Sequence, residues 1–151
     1  MAVTVRRAGP VDAPALARLR WRCWAEGRDG PAADRDVYLE VFTSWTVDHL
    51  ATHLPFLAEL DGRIAGMAWL MLAERVPSPD TLSRRTGDVQ SVYVIPELRD
   101  RGVGRVLLEA VLAEARLREL EHVTVHANDR ATPFYLRAGF VEGRNWLEWR
   151  P

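Results

Sequence analysis

Val89-Gln90-Ser91-Val92-Tyr93-Val94-Ile95-Pro96-Glu97-Leu98-Arg99-Asp100-Arg101-Gly102-Val103-Gly104 is the stretch on which the reading of this chain turns. Val89 to Val94 is an apolar, β-branched run that reads as a strand, stopped by Pro96. From Val103 onward, Val106, Leu107, Ala110 and Val111 fall at i+3, i+4, i+7 and i+8, the stripe of an amphipathic helix. Between them lie two glycines two residues apart, flanked by arginines. Glycine lets a backbone approach a ligand closely, and the first turn of a helix presents N–H groups that have no partner within it. Arginines add charge-assisted contacts. The junction therefore reads as a seat for a phosphate-bearing ligand.

Working outward toward the N-terminus, Val3 to Arg7 alternates as a strand. A first helix capped at Asp12 carries Leu16, Leu19 and Cys23 at helical spacing and runs to about Glu26. Gly27 to Ala33 is a break. Asp34 or Asp36 caps a second helix, whose apolar face is expected to be Val37, Val41, Phe42 and Trp45. Phe56 to Leu60 and Ile64 to Leu72 are strands joined at Asp61-Gly62, a hairpin signal. Arg75 to Gly87, with two prolines, reads as an exposed loop.

On the C-terminal side, His122 to His126 is a fifth strand. Pro133 opens a short helix that stops near Gly139. Two short strands, around Phe140 and from Trp146 to Trp149, are expected to close the chain. On that last strand Trp146 and Trp149 face opposite sides, one toward the core and one toward a partner subunit. The order β-α-α-β-β-β-α-β-α-β-β describes a single α/β domain, residues 1–151, with no repeat or linker.

Composition narrows the class. The chain has 151 residues, a net charge of −1 and one cysteine, so it can bury a core and holds no internal disulfide. The charge argues against a dedicated nucleic-acid binder, and no apolar run is long enough for a membrane span. The lone thiol and an N-terminus without a signal peptide's apolar segment suit a reducing cytoplasm. All 20 basic residues are arginine, which fits a GC-rich bacterial genome. It also removes Schiff-base chemistry and the phosphate-loop lysine of nucleotide-binding proteins.

The segment Val92 to Gly104 resembles the acyl-CoA signature of the GNAT superfamily of N-acetyltransferases, with its Arg/Gln-x-x-Gly-x-Gly/Ala core. A second stretch, Asn128-Asp129-Arg130-Ala131-Thr132-Pro133-Phe134-Tyr135-Leu136-Arg137-Ala138-Gly139-Phe140, resembles the family's Asn-x-x-Ala-x-x-x-Tyr-x-x-x-Gly-Phe pattern. The resemblance implies a central, mostly antiparallel twisted sheet flanked by about four helices, with acetyl-CoA as acyl donor. It implies that Val92, Tyr93 and Val94 meet the pantetheine arm and thioester. Amides from Arg101, Gly102, Val103, Gly104 and Arg105 would hold the pyrophosphate, with Arg99 and Arg101 reaching its oxygens. Asn128 would contact the pantetheine, and Tyr135 would point at the sulfur. A homodimer accords with the family's habit.

The implied reaction is direct attack of a primary amine, on a small molecule or a peptide, at the thioester. Tyr135 would then assist the leaving thiolate. A phenol of pKa ~10 donating to a thiolate of pKa ~8.5 is uphill by roughly 2 kcal/mol, so Tyr135 serves mainly as a hydrogen-bond donor. Asp88 is the candidate base: alternation places it on one face with Val92 and Val94, though four strand residues span roughly 13 Å and a water chain must intervene. Glu26 and Glu59 are rivals that the sequence does not rank. No metal is expected. His49 and His53 lack a third ligand, and His122 and His126 lie roughly 13 Å apart on one strand. Trp21, Trp24 and Trp45 either pack the helices or shape an acceptor pocket. A non-catalytic acyl-CoA-binding module with the same fold is the alternative function.

Overall fold

The structure is a computed structural model that describes residues 2–30, 34–143 and 145–151. A five-stranded sheet runs in the order β1-β2-β3-β4-β5, with β1 at Val3–Arg7, β2 at His53–Leu60, β3 at Arg63–Arg75, β4 at Arg84–Val94 and β5 at Val123–Val125. The first four strands pair antiparallel and β5 joins β4 in parallel. Among the described residues the four α-helices are α1 (Ala13–Ala25), α2 (Arg35–His49), α3 (Val103–Leu117) and α4 (Thr132–Arg137). Two single 3-10 turns, Pro10–Asp12 and Pro96–Leu98, precede α1 and the loop before α3.

Local chemistry explains the punctuation. Asp61 and Gly62 both take positive φ (50° and 78°), the pair that a type I′ hairpin between β2 and β3 requires. Asp34 caps α2, accepting from the N–H groups of Asp36 (3.0 Å) and Val37 (3.2 Å). Asp12 stands at the N-cap of α1, yet its carboxylate caps nothing in that helix. It accepts instead from Arg6 (2.8 and 2.9 Å) and the Gly9 N–H (2.8 Å), tying β1 to the turn before α1.

The two faces of the sheet bury different helices. Leu107 of α3 and Leu120 lean on Gly66 and Gly87, so α3 covers the face that carries Leu70. On the opposite face Phe42 of α2 meets Trp69 edge-on, with ring centroids 5.9 Å apart. Leu16, Leu54, Leu57, Met67, Leu70, Leu107, Leu108 and Val111 are fully buried between these layers.

Four expectations are corrected. Val37 and Val41 are 56% and 62% exposed. The inward stripe of α2 is Tyr38, Phe42, Trp45 and His49, because these rings find aromatic partners on α1 and the sheet. The loop expected from Arg75 to Gly87 shrinks to residues 76–83, since Arg84 to Gly87 extend β4 against Leu72 to Arg75. The strand expected at His122–His126 is only Val123–Val125. No strand forms at Phe140 or from Trp146 to Trp149, and both tryptophans stay exposed, Trp146 resting edge-on against His122. A three-residue edge strand offers too few ladder hydrogen bonds to offset the ordering of that tail.

Candidate active site

β4 departs from regular pairing where function was expected. Met67 pairs with Tyr93 but Trp69 with Gln90, so Ser91 and Val92 together oppose Ala68. Ser91 takes φ +62°, which makes this a β-bulge. The parallel ladder to β5 ends at Val89–Val125, just before the bulge. Beyond it no strand among the described residues pairs with the outer edge of β4, and the gap opens into a groove of about 1080 Å³.

Val92, Tyr93 and Val94 line that groove together with Arg99, Gly102, Val103, Gly104, Arg105, Asn128 and Tyr135. Two expected residues lie outside the lining: Arg101, exposed on the adjoining loop, and Asp88. The bulge also corrects the placement of Asp88. It reverses the alternation, so Asp88 shares its face with Gln90 and Tyr93 and not with Val92 and Val94. That face is the one covered by α1 and α2. The carboxylate of Asp88 accepts from Thr124 Oγ1 (2.6 Å) and Gln90 Nε2 (3.2 Å). Of its rivals, Glu26 lines the groove, whereas Glu59 lies by Arg6 at the far end of the sheet.

The loop into α3 is built to present N–H groups. Asp100 (φ +60°) and Gly102 (φ +79°) both adopt left-handed backbone, which turns the chain sharply into the helix. Gly102 is the N-cap and offers no side chain, so the N–H groups of Val103, Gly104 and Arg105 carry the positive end of α3 into the groove unshielded. Gly104 faces the ring of Phe134 and the side chain of Val94 across it.

Arg99 is committed differently from the expectation that it would reach phosphate. Its guanidinium forms a two-point pair with Glu26 at the end of α1 (2.6 and 2.7 Å), while its Nε donates to the Val94 carbonyl (3.0 Å). The hydrogen bond from Arg99 holds Glu26 below the usual carboxylate range. Tyr93 is 5% exposed and packs under this pair, its ring centroid 5.7 Å from the guanidinium carbon. Its hydroxyl lies beside Glu26 outside hydrogen-bond geometry, and burial, then the neighbouring Glu26, push its pKa up to about 12.

Across the groove, Asn128 Oδ1 accepts from the Ala131 N–H (2.8 Å), which shapes the turn into α4 and leaves the amide NH2 for a ligand. Tyr135 is 8% exposed, wedged between Phe134 and Phe140 (5.1 and 5.5 Å between centroids), and burial raises its pKa. It remains a protonated donor. The bulge at Ser91 and the Glu26–Arg99 pair escaped the sequence reading. A serine inside a β-prone run was the one available hint of the former.

Comparison with known proteins agrees with this architecture. Residues 13–140 match the family model described as the acetyltransferase (GNAT) family. The aminoglycoside N(6')-acetyltransferase type 1 of Stenotrophomonas maltophilia is 37% identical over 143 residues, covering 88% of this chain and 86% of that protein. The mycothiol acetyltransferase of Thermobispora bispora is 31% identical over 87% of this chain, which spans half of that longer protein. A predicted acetyltransferase from Clostridium acetobutylicum, solved with acetyl-CoA, superposes with a TM-score of 0.79 over 99% of this chain and 96% of its own, at 22% identity. With both of its motifs gathered in one groove and the family model spanning most of its length, the chain belongs to the GNAT family of acetyltransferases.

Proposed function

We propose that this chain transfers the acetyl group of acetyl-CoA directly to a primary amine. The observation that carries this reading is the sharing of one groove by an uncapped helix start, an unpaired strand edge and a buried, protonated Tyr135. The first suits a pyrophosphate, the second a pantetheine arm, and the third a departing thiolate. Relatives whose names specify an aminoglycoside amine and mycothiol support an acyl acceptor of small size.

In this reading the amine lone pair attacks the thioester carbonyl, the C–N bond forms and the C–S bond breaks. N–H groups on the free edge of β4 face the oxygen on which negative charge develops. Tyr135 donates a hydrogen bond to the sulfur; its raised pKa makes complete proton transfer costlier than the roughly 2 kcal/mol set by unperturbed values. The proton lost from the amine passes through water to Asp88, which faces the α1/α2 side from which the acceptor would approach. Glu26 is a weaker base because Arg99 holds it ionised.

The test is release of free thiol from acetyl-CoA in the presence of small amines, peptides and aminoglycosides. Amine-dependent thiol release supports the reading. Tight CoA binding without release on any acceptor assigns the chain to the non-catalytic acyl-CoA-binding class instead.

A further inference from the structure

Two ion pairs join the last turn of α1 to the loop that enters α3. Arg22 pairs with Glu97, and Glu26, one turn further along, pairs with Arg99. The charges alternate, basic then acidic on α1 and acidic then basic on the loop. A slip of α1 by one turn would set Arg22 against Arg99, so the pattern specifies a single register.

The inner pair is built differently from the outer one. The Arg22 and Glu97 side chains are 45% and 62% exposed, and a pair so open to water contributes little. Arg99 and Glu26 meet at two points (2.6 and 2.7 Å), and Arg99 Nε also donates to the Val94 carbonyl (3.0 Å). That carbonyl lies on the outer edge of β4. The Tyr93 carbonyl points the other way, toward β3, where a Cβ on Gly66 would come within 2.4 Å of it. Carbonyls of successive strand residues point to opposite edges. Glu26, Tyr93, Val94 and Arg99 all line the donor groove.

Both segments leave regular structure where the pair ties them. Glu26 is the C-cap of α1, and Gly27 behind it takes φ +76°. Asp100, directly after Arg99, takes φ +60°, and the loop next reaches the core at the buried Val103. On the reading that this groove takes acetyl-CoA, we propose that Glu26 is a positioning residue for the donor. Through Arg99 it fixes the outer edge of β4 at Val94 and the entry to the donor loop, and neither side chain of the pair binds phosphate. The donor then meets walls that are set before it arrives, so less freedom is lost on binding. The alternative, Arg99 as a phosphate ligand held in reserve by Glu26, has the opposite sign. Glu26→Gln would then release Arg99, make the groove one unit more positive and tighten CoA binding.

The experiment titrates the full chain and its variants calorimetrically with CoA, with thermal melts alongside. Glu26→Gln should raise the Kd about tenfold, which is about 1.4 kcal/mol, while Tm stays within about 4 °C. Arg99→Lys keeps the charge but not the planar two-point contact, and should weaken binding as much. Both changes break one link, so the double variant should fall within about twofold of either single one. Arg22→Gln should leave the Kd within about twofold. In thiol release, the Glu26→Gln loss should appear in the KM for acetyl-CoA, with kcat within about twofold. Tighter or unchanged CoA binding by Glu26→Gln overturns the proposal, and so do losses that multiply in the double variant. If Glu26→Gln does not fold, Arg99→Lys decides alone, and a Kd like the parent's overturns the proposal. A parent chain that binds no CoA removes the donor reading itself, and this inference with it.

Discussion

The two glycines of the donor loop should respond oppositely to the same added methyl group. At Gly104, the second residue of α3, a Cβ would lie 3.5 Å from the Phe134 ring and 3.7 Å from Val94 Cγ2, ordinary contacts that the fold accepts unmoved. Alanine is the better helix former by about 1 kcal/mol in a helix interior, and roughly half of that applies in the first turn. Gly104→Ala should therefore raise Tm by about 1–2 °C. The same methyl projects among residues that line the groove, where N–H groups must come within about 2.9 Å of an anion. Losing one charge-assisted hydrogen bond there costs about 1.5–3 kcal/mol, so the Kd for CoA should rise about 10- to 100-fold. Gly102 presents the reverse case. Nothing lies within 4 Å of its Cβ position, but its φ of +79° is strained for alanine by about 1–2 kcal/mol, so Gly102→Ala should lower Tm by roughly 2–8 °C. Thermal melts of the ligand-free variants and calorimetric CoA titrations read both quantities. A Gly104→Ala protein that binds CoA like the parent would refute the seating of the donor on the first turn of α3, and one that melts lower would refute the steric argument.

Tyr135→Phe should lower kcat at least tenfold while leaving the KM for acetyl-CoA within about twofold, as steady-state kinetics will show; unchanged turnover removes the hydroxyl from the reaction. Tyr93→Phe deletes a buried hydroxyl that has no hydrogen-bond partner among the described residues, so urea unfolding should find it neutral or stabilising, and a loss beyond about 1 kcal/mol would mean that Glu26 accepts from it. Asp12 is held at a pKa of about 2, below the usual 3.8, first by the hydrogen bond from Arg6 and then by the Gly9 N–H. A carboxyl with a depressed folded pKa stabilises above its unfolded pKa and loses that contribution as pH falls through the folded one. With the Asp12 side chain 12% exposed and its Arg6 partner 50% exposed, the contribution is about 1–2 kcal/mol after allowance for solvent screening. It should vanish between about pH 4 and pH 2 in the parent and be missing throughout in Asp12→Asn, whose pH–stability curve would run parallel to the parent's if this reasoning were wrong.

What the sequence revealed is what depends on periodicity and on residue type at fixed spacing. The α3 stripe, the Asp61-Gly62 hairpin and both glycine motifs are local features, and each was legible. The extent of β3 and β4 was not, because Arg84 to Gly87 become strand only by pairing with Leu72 to Arg75 across a turn rich in proline and serine. The apolar face of α2 was read correctly at Phe42 and Trp45 but not at Val37 and Val41: valines outrank Tyr38 and His49 in hydrophobicity, but ring-to-ring contacts with Trp21 and Trp45 decided which side turned inward. The face of Asp88 was lost to one inserted residue. Period-2 reasoning fails at a bulge, and Ser91 adopts its positive φ in a tertiary setting that no neighbouring residue type announces.

Arg99 shows most clearly how its place in a motif and its place in the fold can suggest different roles for one residue. In the motif it stands ahead of two glycines, where a cation reads naturally as a phosphate ligand. In the fold the nearest acid is Glu26, 73 residues earlier in the chain, and the nearest carbonyl is that of Val94. A guanidinium held in two-point contact by a carboxylate gives up two charge-assisted hydrogen bonds if it leaves for a mobile phosphate. Arg99 is then better regarded as the tie that fixes the end of α1 against the bulged end of β4 and sets the width of the groove mouth between them. On the proposed reading, anion binding falls to the uncapped N–H groups of α3, whose positions are fixed by the backbone and need no side chain to be ordered when the donor arrives.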